Sequence, residues 1–343
     1  MLKYRKTLIV LLGLFWIITF SSNVFAFSFG SLFDIFKSKP VKPHVMAHVS
    51  DNEKPPAKVK VGVYVLHVGK FDLQSASTRM DFYLIFKCKP VCHDINFEIM
   101  NATNATTHLV AKQKDNLIYR VQADLSKADN LRNFPFDSHT LDITLEDRQF
   151  TSDKMVFEAD PSTTAFDANL KVVGFELSPT WTAKVINHYY TVFQQAYSSY
   201  NFSMYIKRPL LAGILKGILP ALIIVCCNFL ALFMEIDKAS QRLGIATSTL
   251  IASEVFHLNL TSSVPPLGYI TYADMFMFIN YIFLFVVLIE VVTTTYFVET
   301  KHHTLAERIN TVSAWVIPIV WISLQAFNWL MFDPTNIMGS ASS

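Results

Sequence analysis

The chain has 343 residues and a formal net charge of +2, so its charge gives no indication of nucleic-acid binding. Hydrophobic residues make up 52% and aromatic residues 14%, which is high for a soluble protein. Charged residues are concentrated in the middle of the chain and nearly absent from its last third, which predicts one soluble domain and one membrane domain.

The N-terminal segment 1–26 is typical of a secretory signal peptide. Basic residues precede the apolar run 7–20, and Ala26 ends a plausible cleavage site. A retained membrane anchor is the alternative, and either interpretation places the following residues outside the cytoplasm. Residues 27–58 follow as a lead and linker in which Pro, Lys and His are frequent.

The period of the hydrophobic pattern becomes two between residues 59 and 207. The alternation is clearest in four runs, at 59–65, 117–123, 141–145 and 200–206. Shorter runs lie at 79–87, 96–100, 155–158, 170–177 and 180–186. About eight to ten short strands at this spacing predict an antiparallel β-sandwich.

Two of the four cysteines, Cys88 and Cys92, flank a short Lys-Pro-Val turn in this exported domain. A disulfide that closes the turn is favoured over two free thiols, because exported domains are oxidised. The sequence has no CxxC pair, so it carries no zinc signature, and no metal site or other cofactor is expected.

The membrane domain, residues 208–334, contains four apolar spans and is followed by a tail at 335–343. The spans are 210–233, 243–262, 270–298 and 309–332. Export of the sandwich places the C-terminus outside as well. The positive-inside rule agrees, since Lys and Arg lie at the first and third turns and not at the second.

The second span contains an unusual stripe of residues when it is wound at about 100° per residue. The stripe is small and polar at both ends and aliphatic in the middle, and consists of Ser240, Gly244, Ser248, Ile251, Val255, Leu258 and Ser262. Such a stripe suits the wall of a water-filled pore with a hydrophobic gate. A core helix of a membrane bundle with coiled-coil spacing is the alternative.

Four passages resemble the pentameric ligand-gated ion channels, the Cys-loop receptor superfamily, in its prokaryotic form. They are Phe-Pro-Phe-Asp-Ser-His-Thr-Leu at 134–141, Ile-Lys-Arg at 206–208 with Ile-Leu-Pro at 218–220, the pore-helix stretch 248–252 with the loop 264–272, and Val-Leu-Ile-Glu-Val at 287–291. The resemblance covers residues 58–332. It implies an exported sandwich followed by an all-α bundle of four transmembrane helices, in the bacterial inner membrane.

The chain departs from the family pattern in three ways. Lys127 and Leu141 occupy the places of the two cysteines that give the eukaryotic members their loop disulfide. The loop between the third and fourth predicted spans is only about ten residues long. The segment between Cys92 and Asn96 lacks a Trp-x-Pro sequence that normally supplies part of the agonist site.

The resemblance implies a homopentamer in which the stripe of each subunit lines one pore and Ile251, Val255 and Leu258 form the closed gate. Glu254 would lie between adjacent pore helices and be partly buried. It is a candidate proton sensor, and a satisfied interhelical hydrogen bond is the alternative.

The resemblance also implies how the sandwich would open the pore. It places Asp72 and Asp137 against Arg208 at the membrane boundary, in a cluster that pulls on the loop from Pro265 to Tyr269. A partly buried cluster of this kind is strongly weakened when one member is lost.

The implied agonist site lies between subunits. Its candidate residues are Arg148, Phe150, Phe175, Tyr189, Tyr190, Phe193 and Tyr197 on one side and Tyr83 and Phe86 on the neighbour. Clustered aromatic rings suit a cationic amine. The alternative for any one of these residues is a place in the core of the sandwich.

The sequence therefore predicts a ligand-gated, pH-modulated ion channel whose partners are further copies of itself, the lipid bilayer, inorganic ions and a small agonist, an amine or the proton. Glu235 and Asp237 near the cytoplasmic mouth favour cations, and Ser240-Gln241-Arg242 lacks the Pro and Ala of anion-selective relatives. A non-conducting membrane sensor is the main alternative. An enzyme is disfavoured because no catalytic triad, metal cluster or phosphate loop is present, and a transporter because the spans contain no repeat.

Overall fold

The computed structural model describes residues 55–89, 95–127 and 129–331. The predicted signal peptide, most of the lead segment, Cys92 and the C-terminal tail lie outside the described residues. Cys88 is disulfide-bonded, whereas Cys226 and Cys227 in the first membrane span are free thiols.

The first part of the described chain forms ten strands. They are β1 (Ala57–Val68), β2 (Ser77–Cys88), β3 (Phe97–Ile99), β4 (Ala102–Lys112), β5 (Asn116–Ser126), β6 (Ser138–Asp147), β7 (Met155–Ala159), β8 (Ala165–Phe166), β9 (Glu176–Tyr190) and β10 (Gln195–Lys207). One sheet has the order β4-β5-β2-β1-β7 with β8 also on β1, and the other has the order β3-β6-β10-β9. The pairs are antiparallel, as predicted, except that β7 and β8 run parallel to β1.

Alternating side chains of the two sheets form a single core. In β1 the side chains of Val61, Val63 and Val65 are completely buried, and in β10 those of Tyr200 and Phe202 are too. Burial of one such side chain is worth about 1.5–3 kcal/mol, so the period of two read from the sequence identifies the residues that stabilise the sandwich.

Two parts of the strand prediction were wrong. The long strand β4 was not predicted, because it is exposed along nearly its whole length and so has no apolar alternation. The run 170–177 is not a strand of its own, and only its last two residues belong to one, the start of β9. It holds an isolated bridge between Val172 and Phe175, and the chain turns there through Gly174 at a φ of 83°, a backbone conformation that favours glycine.

The second part of the chain forms four long helices: α1 (Leu210–Phe233), α2 (Ala239–Thr261), α3 (Tyr272–Glu299) and α4 (His303–Met331). Helices α2 and α4 begin before the predicted spans, because their first turns are polar and hydropathy detects only the apolar part. The connection between α3 and α4 is therefore residues 300–302, shorter than the loop of about ten residues that was predicted.

Three of these helices, α1, α3 and α4, are long and apolar enough to cross a membrane by length and composition. They pack through a shared core that includes Val225, Leu284, Val287 and Trp321. Helix α2 has 23 residues, or about 35 Å, which also exceeds the hydrocarbon thickness of a bilayer. It is not among the three, because polar side chains interrupt it throughout.

Candidate functional site

The stripe of α2 lies on the exposed side of the chain. All seven of its residues are exposed, and among them Ile251 is 65%, Val255 61% and Leu258 66% exposed. Ser248 donates its hydroxyl proton to the carbonyl of Gly244 at 2.7 Å, so its oxygen lone pairs remain on the exposed surface. The structure thus brings the predicted residues to one continuous face.

The opposite side of α2 is buried and polar. Arg242, Ala246, Thr249 and Ser253 are its buried residues. The hydroxyl of Thr249 is 3.1 Å from Oδ1 of Asn228 on α1, which is itself fully buried. The polarity of these two faces is therefore inverted relative to a helix of a soluble protein. Arg242, Thr249 and Ser253 lie inside, whereas the aliphatic residues of the stripe lie outside.

Arg242 anchors the cytoplasmic end of that buried side. Its side chain is completely buried, and Nη2 lies 2.9 Å from Oε2 of Glu290 and 2.5 Å from Oδ1 of Asn310. Its Nη1 donates to the hydroxyl of Thr294, and its Nε donates to the carbonyl of Ala231 at 2.8 Å. A buried arginine needs this compensation, because an unpaired charge in the interior is very costly.

Glu254 lies at the side of the exposed face of α2. Its side chain is exposed on one chain, and the predicted burial between adjacent pore helices stays a prediction. The exposure follows from its position on α2, beside the stripe and away from the buried residue Ser253. Any desolvation of Glu254 must come from a second subunit.

The junction between the sandwich and the helices contains a buried ion pair. Arg208 holds Asp137 with two hydrogen bonds, from Nε to Oδ1 at 2.8 Å and from Nη2 to Oδ2 at 3.2 Å. Asp137 is only 1% exposed. His139 bonds the same carboxylate through Nε2, and its Nδ1 lies 3.1 Å from Oδ2 of Asp129. Two cationic groups thus converge on one buried carboxylate.

This arrangement shifts the titration of both partners. Burial alone would raise the pKa of Asp137, but the hydrogen bonds from His139 and Arg208 outweigh it and lower the pKa to about 2. Burial alone would lower the pKa of His139, but the hydrogen bonds to Asp129 and Asp137 raise it above the usual value of histidine. The junction therefore favours an ionised aspartate beside a protonated histidine.

The loop that carries Asp137 connects directly to two helices. The carbonyls of Arg132 and Phe134 accept hydrogen bonds from the first N–H groups of α3, those of Tyr272 and Ala273, at 2.8 and 3.0 Å. These N–H groups have no partner within their own helix, so the loop caps α3. Movement of the loop must therefore move α3 or break its cap.

The same loop seats on α1 through Pro135. A Cβ atom on Gly213 would lie 2.8 Å from the Pro135 carbonyl oxygen, and one on Gly217 would lie 2.6 Å from the Pro135 ring. Only glycine permits this close approach.

The loop between α2 and α3 also contacts the sandwich. The hydroxyl of Tyr269 accepts a hydrogen bond from the N–H of Leu131 at 2.9 Å, and the guanidinium of Arg132 lies 5.0 Å from the centre of its ring. Pro265 and Tyr269 line a cavity of about 420 Å³ that is also lined by Leu258 of the stripe and by Asp274 of α3. The predicted coupling loop thus contacts the sandwich and lines a cavity together with Leu258 of α2.

Two predicted members of these clusters lie elsewhere. Asp72 is exposed and does not bond Arg208; its carboxylate accepts from Ser75 and Gln74 within its own turn. The turn reaches the end of α2 instead, because the Gln74 side chain donates to the carbonyl of Ser262. Phe175, expected at the agonist site, lies under Arg208, with 5.0 Å between the guanidinium and its ring centre.

An aromatic cluster at the β9–β10 turn contains most of the other agonist candidates. The rings of Phe193 and Tyr197 lie 6.1 and 5.7 Å from that of Tyr190. Beneath them is Glu146, only 4% exposed, which accepts from the Tyr190 hydroxyl at 2.8 Å and lies 3.0 Å from Nδ1 of His188. Burial, followed by the bond to Glu146, raises the pKa of Tyr190 to about 12.

The remaining agonist candidates divide between surface and core. Tyr189, Arg148 and Phe150 are exposed, and Arg148 pairs with Glu98 at 3.1 Å. Tyr83 is partly exposed on β2, but Phe86 is fully buried in the core of the sandwich. Residues three apart on a strand face opposite sides, so Tyr83 and Phe86 cannot both face a neighbouring subunit.

Sequence reasoning missed three residues that the structure places at these sites: His139, Glu146 and His257. His139 lies on the same buried face of β6 as Leu141, and Glu146 follows the alternating run, so neither stood out as a site residue. Their burial was the informative property, and it depends on the partners that the fold supplies. The partners of His257, Asp274 and Tyr281, lie on another helix, so no spacing within α2 identifies it.

The sequence is similar to one protein family and to two ion-channel proteins. Residues 217–328 match the family described as the neurotransmitter-gated ion-channel transmembrane region. A proton-gated ion channel from Gloeobacter violaceus is 27% identical over 193 residues, which cover 56% of this chain and 53% of that protein. A gamma-aminobutyric acid receptor subunit beta from Caenorhabditis elegans is 22% identical over 182 residues, 52% of this chain and 32% of that protein. The matches thus span about half of the first relative and about a third of the second.

Proposed function

Because the chain belongs to the superfamily of pentameric ligand-gated ion channels and is a multi-pass membrane protein, we propose that it conducts ions through a pore lined by α2 in a homopentamer. The observation that carries this proposal is the inverted polarity of α2. An apolar stripe flanked by small polar residues is exposed on one chain, while Arg242, Thr249 and Ser253 of the same helix are buried.

The proposed gate is formed by three rings of aliphatic side chains, from Ile251, Val255 and Leu258. A narrow apolar ring excludes water and thereby ions, so the pore closes by dewetting. Ser240, Gly244 and Ser248 line the proposed cytoplasmic half. Their hydroxyl groups and backbone provide a wet wall there.

The proposed opening signal passes through the loop that carries Asp137. Arg208 ties this loop to the start of α1, and the loop carbonyls cap α3. Tyr269, at the other end of the α2–α3 loop, is hydrogen-bonded to the same segment of the sandwich. A shift of the sandwich would therefore reach α2 from both of its neighbours.

The proposed agonist is a small amine, a proton or both. Tyr190, Phe193 and Tyr197 offer ring faces to a cation, and the carboxylate of Glu146 adds a negative charge beneath them. The relative from Gloeobacter violaceus is a proton-gated channel, which supports pH modulation. Glu254 is a proton sensor in this proposal only if an adjacent subunit covers it.

The proposed permeant ions are cations. Glu235 and Asp237 are exposed at the cytoplasmic end of α2, although Glu235 pairs with Lys238 at 3.1 Å. Arg242, the cation nearest to the mouth on α2, is completely buried and paired with Glu290. Its charge is therefore withdrawn from the proposed pore.

The alternative is a membrane sensor that binds a ligand without conducting ions. Reconstitution into lipid bilayers with current recording across pH and a panel of amines separates the two. The variant Ile251→Ala is the probe of the gate, because a smaller ring is more easily wetted and should open at lower stimulus. Leu243→Ala, an exposed aliphatic position of α2 outside the stripe, is the matched control.

The expected result is a cation current that Ile251→Ala enhances and Leu243→Ala does not. No current from any protein under any condition, together with a monomeric mass for the purified particle, would refute the channel and leave the sensor.

A further inference from the structure

His257 lies near the outer end of α2, on the side that faces α3. Its Nε2 is 3.2 Å from Oδ1 of Asp274, and its Nδ1 is 3.0 Å from the hydroxyl oxygen of Tyr281. Both nitrogens of the imidazole are thus bonded to α3. The ionised carboxylate of Asp274 can only accept a hydrogen bond, whereas the hydroxyl of Tyr281 can donate or accept one.

Asp274 also takes part in the N-terminal cap of α3, which fixes its position. Its Oδ2 accepts from the N–H and the hydroxyl of Thr271 at 2.9 and 2.8 Å, and the Thr271 hydroxyl accepts from the N–H of Asp274. This capping box starts α3. The carboxylate therefore holds the start of the helix with one oxygen and faces His257 with the other.

A further charged group near this pair is Glu254, one turn earlier on α2, whose charge acts on Tyr281. Within the described parts of the chain, His257 forms no ion pair other than that with Asp274. The cavity lined by Leu258, Thr261 and Asp274 adjoins the pair, and the His257 side chain is 24% exposed. Water can therefore deliver a proton to this site.

The charge state of His257 decides the direction of its hydrogen bonds. A neutral imidazole donates through one nitrogen to Asp274 and accepts through the other from Tyr281. A protonated imidazole donates through both, so Tyr281 must turn its own proton elsewhere. The carbonyl oxygen of Ser253 on α2, 3.5 Å from the Tyr281 hydroxyl, is available to accept it.

We propose that His257 is a proton-operated link by which α3 holds the outer end of the pore helix. Protonation turns the contact with Asp274 into an ion pair and adds a bond from Tyr281 to Ser253, so α2 binds α3 more tightly. Because α3 packs against the side of α2 opposite the stripe, tighter binding withdraws Leu258 from the axis, and acid favours the open pore. This inference rests on the proposed channel function for its consequence, but its chemistry concerns two helices of one chain.

The first test compares currents of reconstituted wild type and His257→Gln between about pH 5 and 8, the range in which histidine changes charge. Glutamine can donate and accept but cannot be protonated, so we expect the ratio of acid to alkaline current to fall toward one. Tyr281→Phe keeps the pair with Asp274 and should lower that ratio only in part. His108→Gln, an exposed histidine on β4, is the matched control and should keep the wild-type ratio.

The second test needs no current. Hydrogen exchange of the end of α2 is measured on the purified proteins, comparing wild type with His257→Gln at each pH. We expect the wild type to be better protected than the variant in acid and equal to it in alkali. If this difference in protection is found but no current is recorded from any protein, the link between His257 and α3 is supported and the channel function is refuted. Equal protection at every pH, or an unchanged current ratio in His257→Gln, would overturn the link.

Discussion

Replacing Arg208 by alanine removes one of the two cations that hold Asp137 at the junction between sandwich and helices. In the intact protein the pKa of Asp137 is about 2, below its ordinary value of 3.8. At about 1.4 kcal/mol per unit, Arg208 and His139 together favour the ionised carboxylate by about 2–3 kcal/mol after the cost of burial. We expect Arg208→Ala to lose about 2 kcal/mol of stability, less than the removal of a sole partner would cost, because His139 remains.

The assay compares channel current, the amount of protein in the membrane and the thermal unfolding of the purified particle. We expect Arg208→Ala to reach the membrane but lose at least tenfold in current, because the loop that caps α3 loses its ion pair with the residue that precedes α1. The control is Lys207→Ala, one residue away, whose pair with Glu176 is exposed on both sides and contributes little.

A double-mutant cycle with Asp137→Asn assigns the loss to the pair itself, with an expected coupling of about 2 kcal/mol. The reasoning would be refuted if Arg208→Ala behaved like Lys207→Ala in both current and unfolding.

The pH dependence of this variant follows from His139, whose pKa is raised in the folded protein. Its stabilisation is therefore complete below the unfolded value of about 6.5 and is lost as pH rises through the higher folded value. In Arg208→Ala the histidine is the remaining cation on Asp137. The loss of stability of the variant relative to wild type should therefore grow as pH rises above neutrality. A loss of stability that is independent of pH would contradict this assignment.

Three further predictions concern other parts of the molecule. A cysteine at Ser248 should react with an aqueous thiol reagent, whereas one at Ser253 on the buried side should be protected; equal rates would contradict the assigned faces. Glu290→Gln should lower stability by about 3–5 kcal/mol, because Arg242 is left buried without a carboxylate; thermal unfolding measures this, and replacing both residues by methionine should cost less. Glu146→Gln should lower the pKa of the adjacent tyrosine from about 12 toward 10, which ultraviolet titration detects, and should weaken binding of any amine about tenfold.

The regular parts of the sandwich could be predicted because one face of each strand is buried. Val61, Val63 and Val65 alternate with polar residues for that reason, and the alternation is visible without a structure. Strand β4 has both faces exposed, so its residues carry no such signal and β-branched threonines alone were not enough to identify it. The apolar alternation arises from the burial of one face, so a strand with no buried face has no alternation.

The candidate site could be predicted only in part, for a similar reason. The stripe of α2 depends on the period of one helix, so the sequence contains it. The pair of Asp137 and Arg208 came from the resemblance to a family, and the same resemblance misplaced Asp72 and Phe175. The partners of His257 lie 17 and 24 residues away on a different helix, and no spacing within α2 specifies them.

The two polar anchors of α2 restrict how the helix can move. Arg242 is bonded to α3, α4 and the end of α1, and His257, about four turns later, is bonded to α3. Rotation of α2 about its own axis would break the buried contacts of Arg242, which is very unfavourable in the membrane interior. The contact at His257 is partly exposed to water, so its hydrogen bonds can be exchanged with water. The cytoplasmic end should therefore act as a fixed pivot and the outer end, with Leu258, as the part that moves, so that the pore opens by a tilt of α2 rather than by a turn.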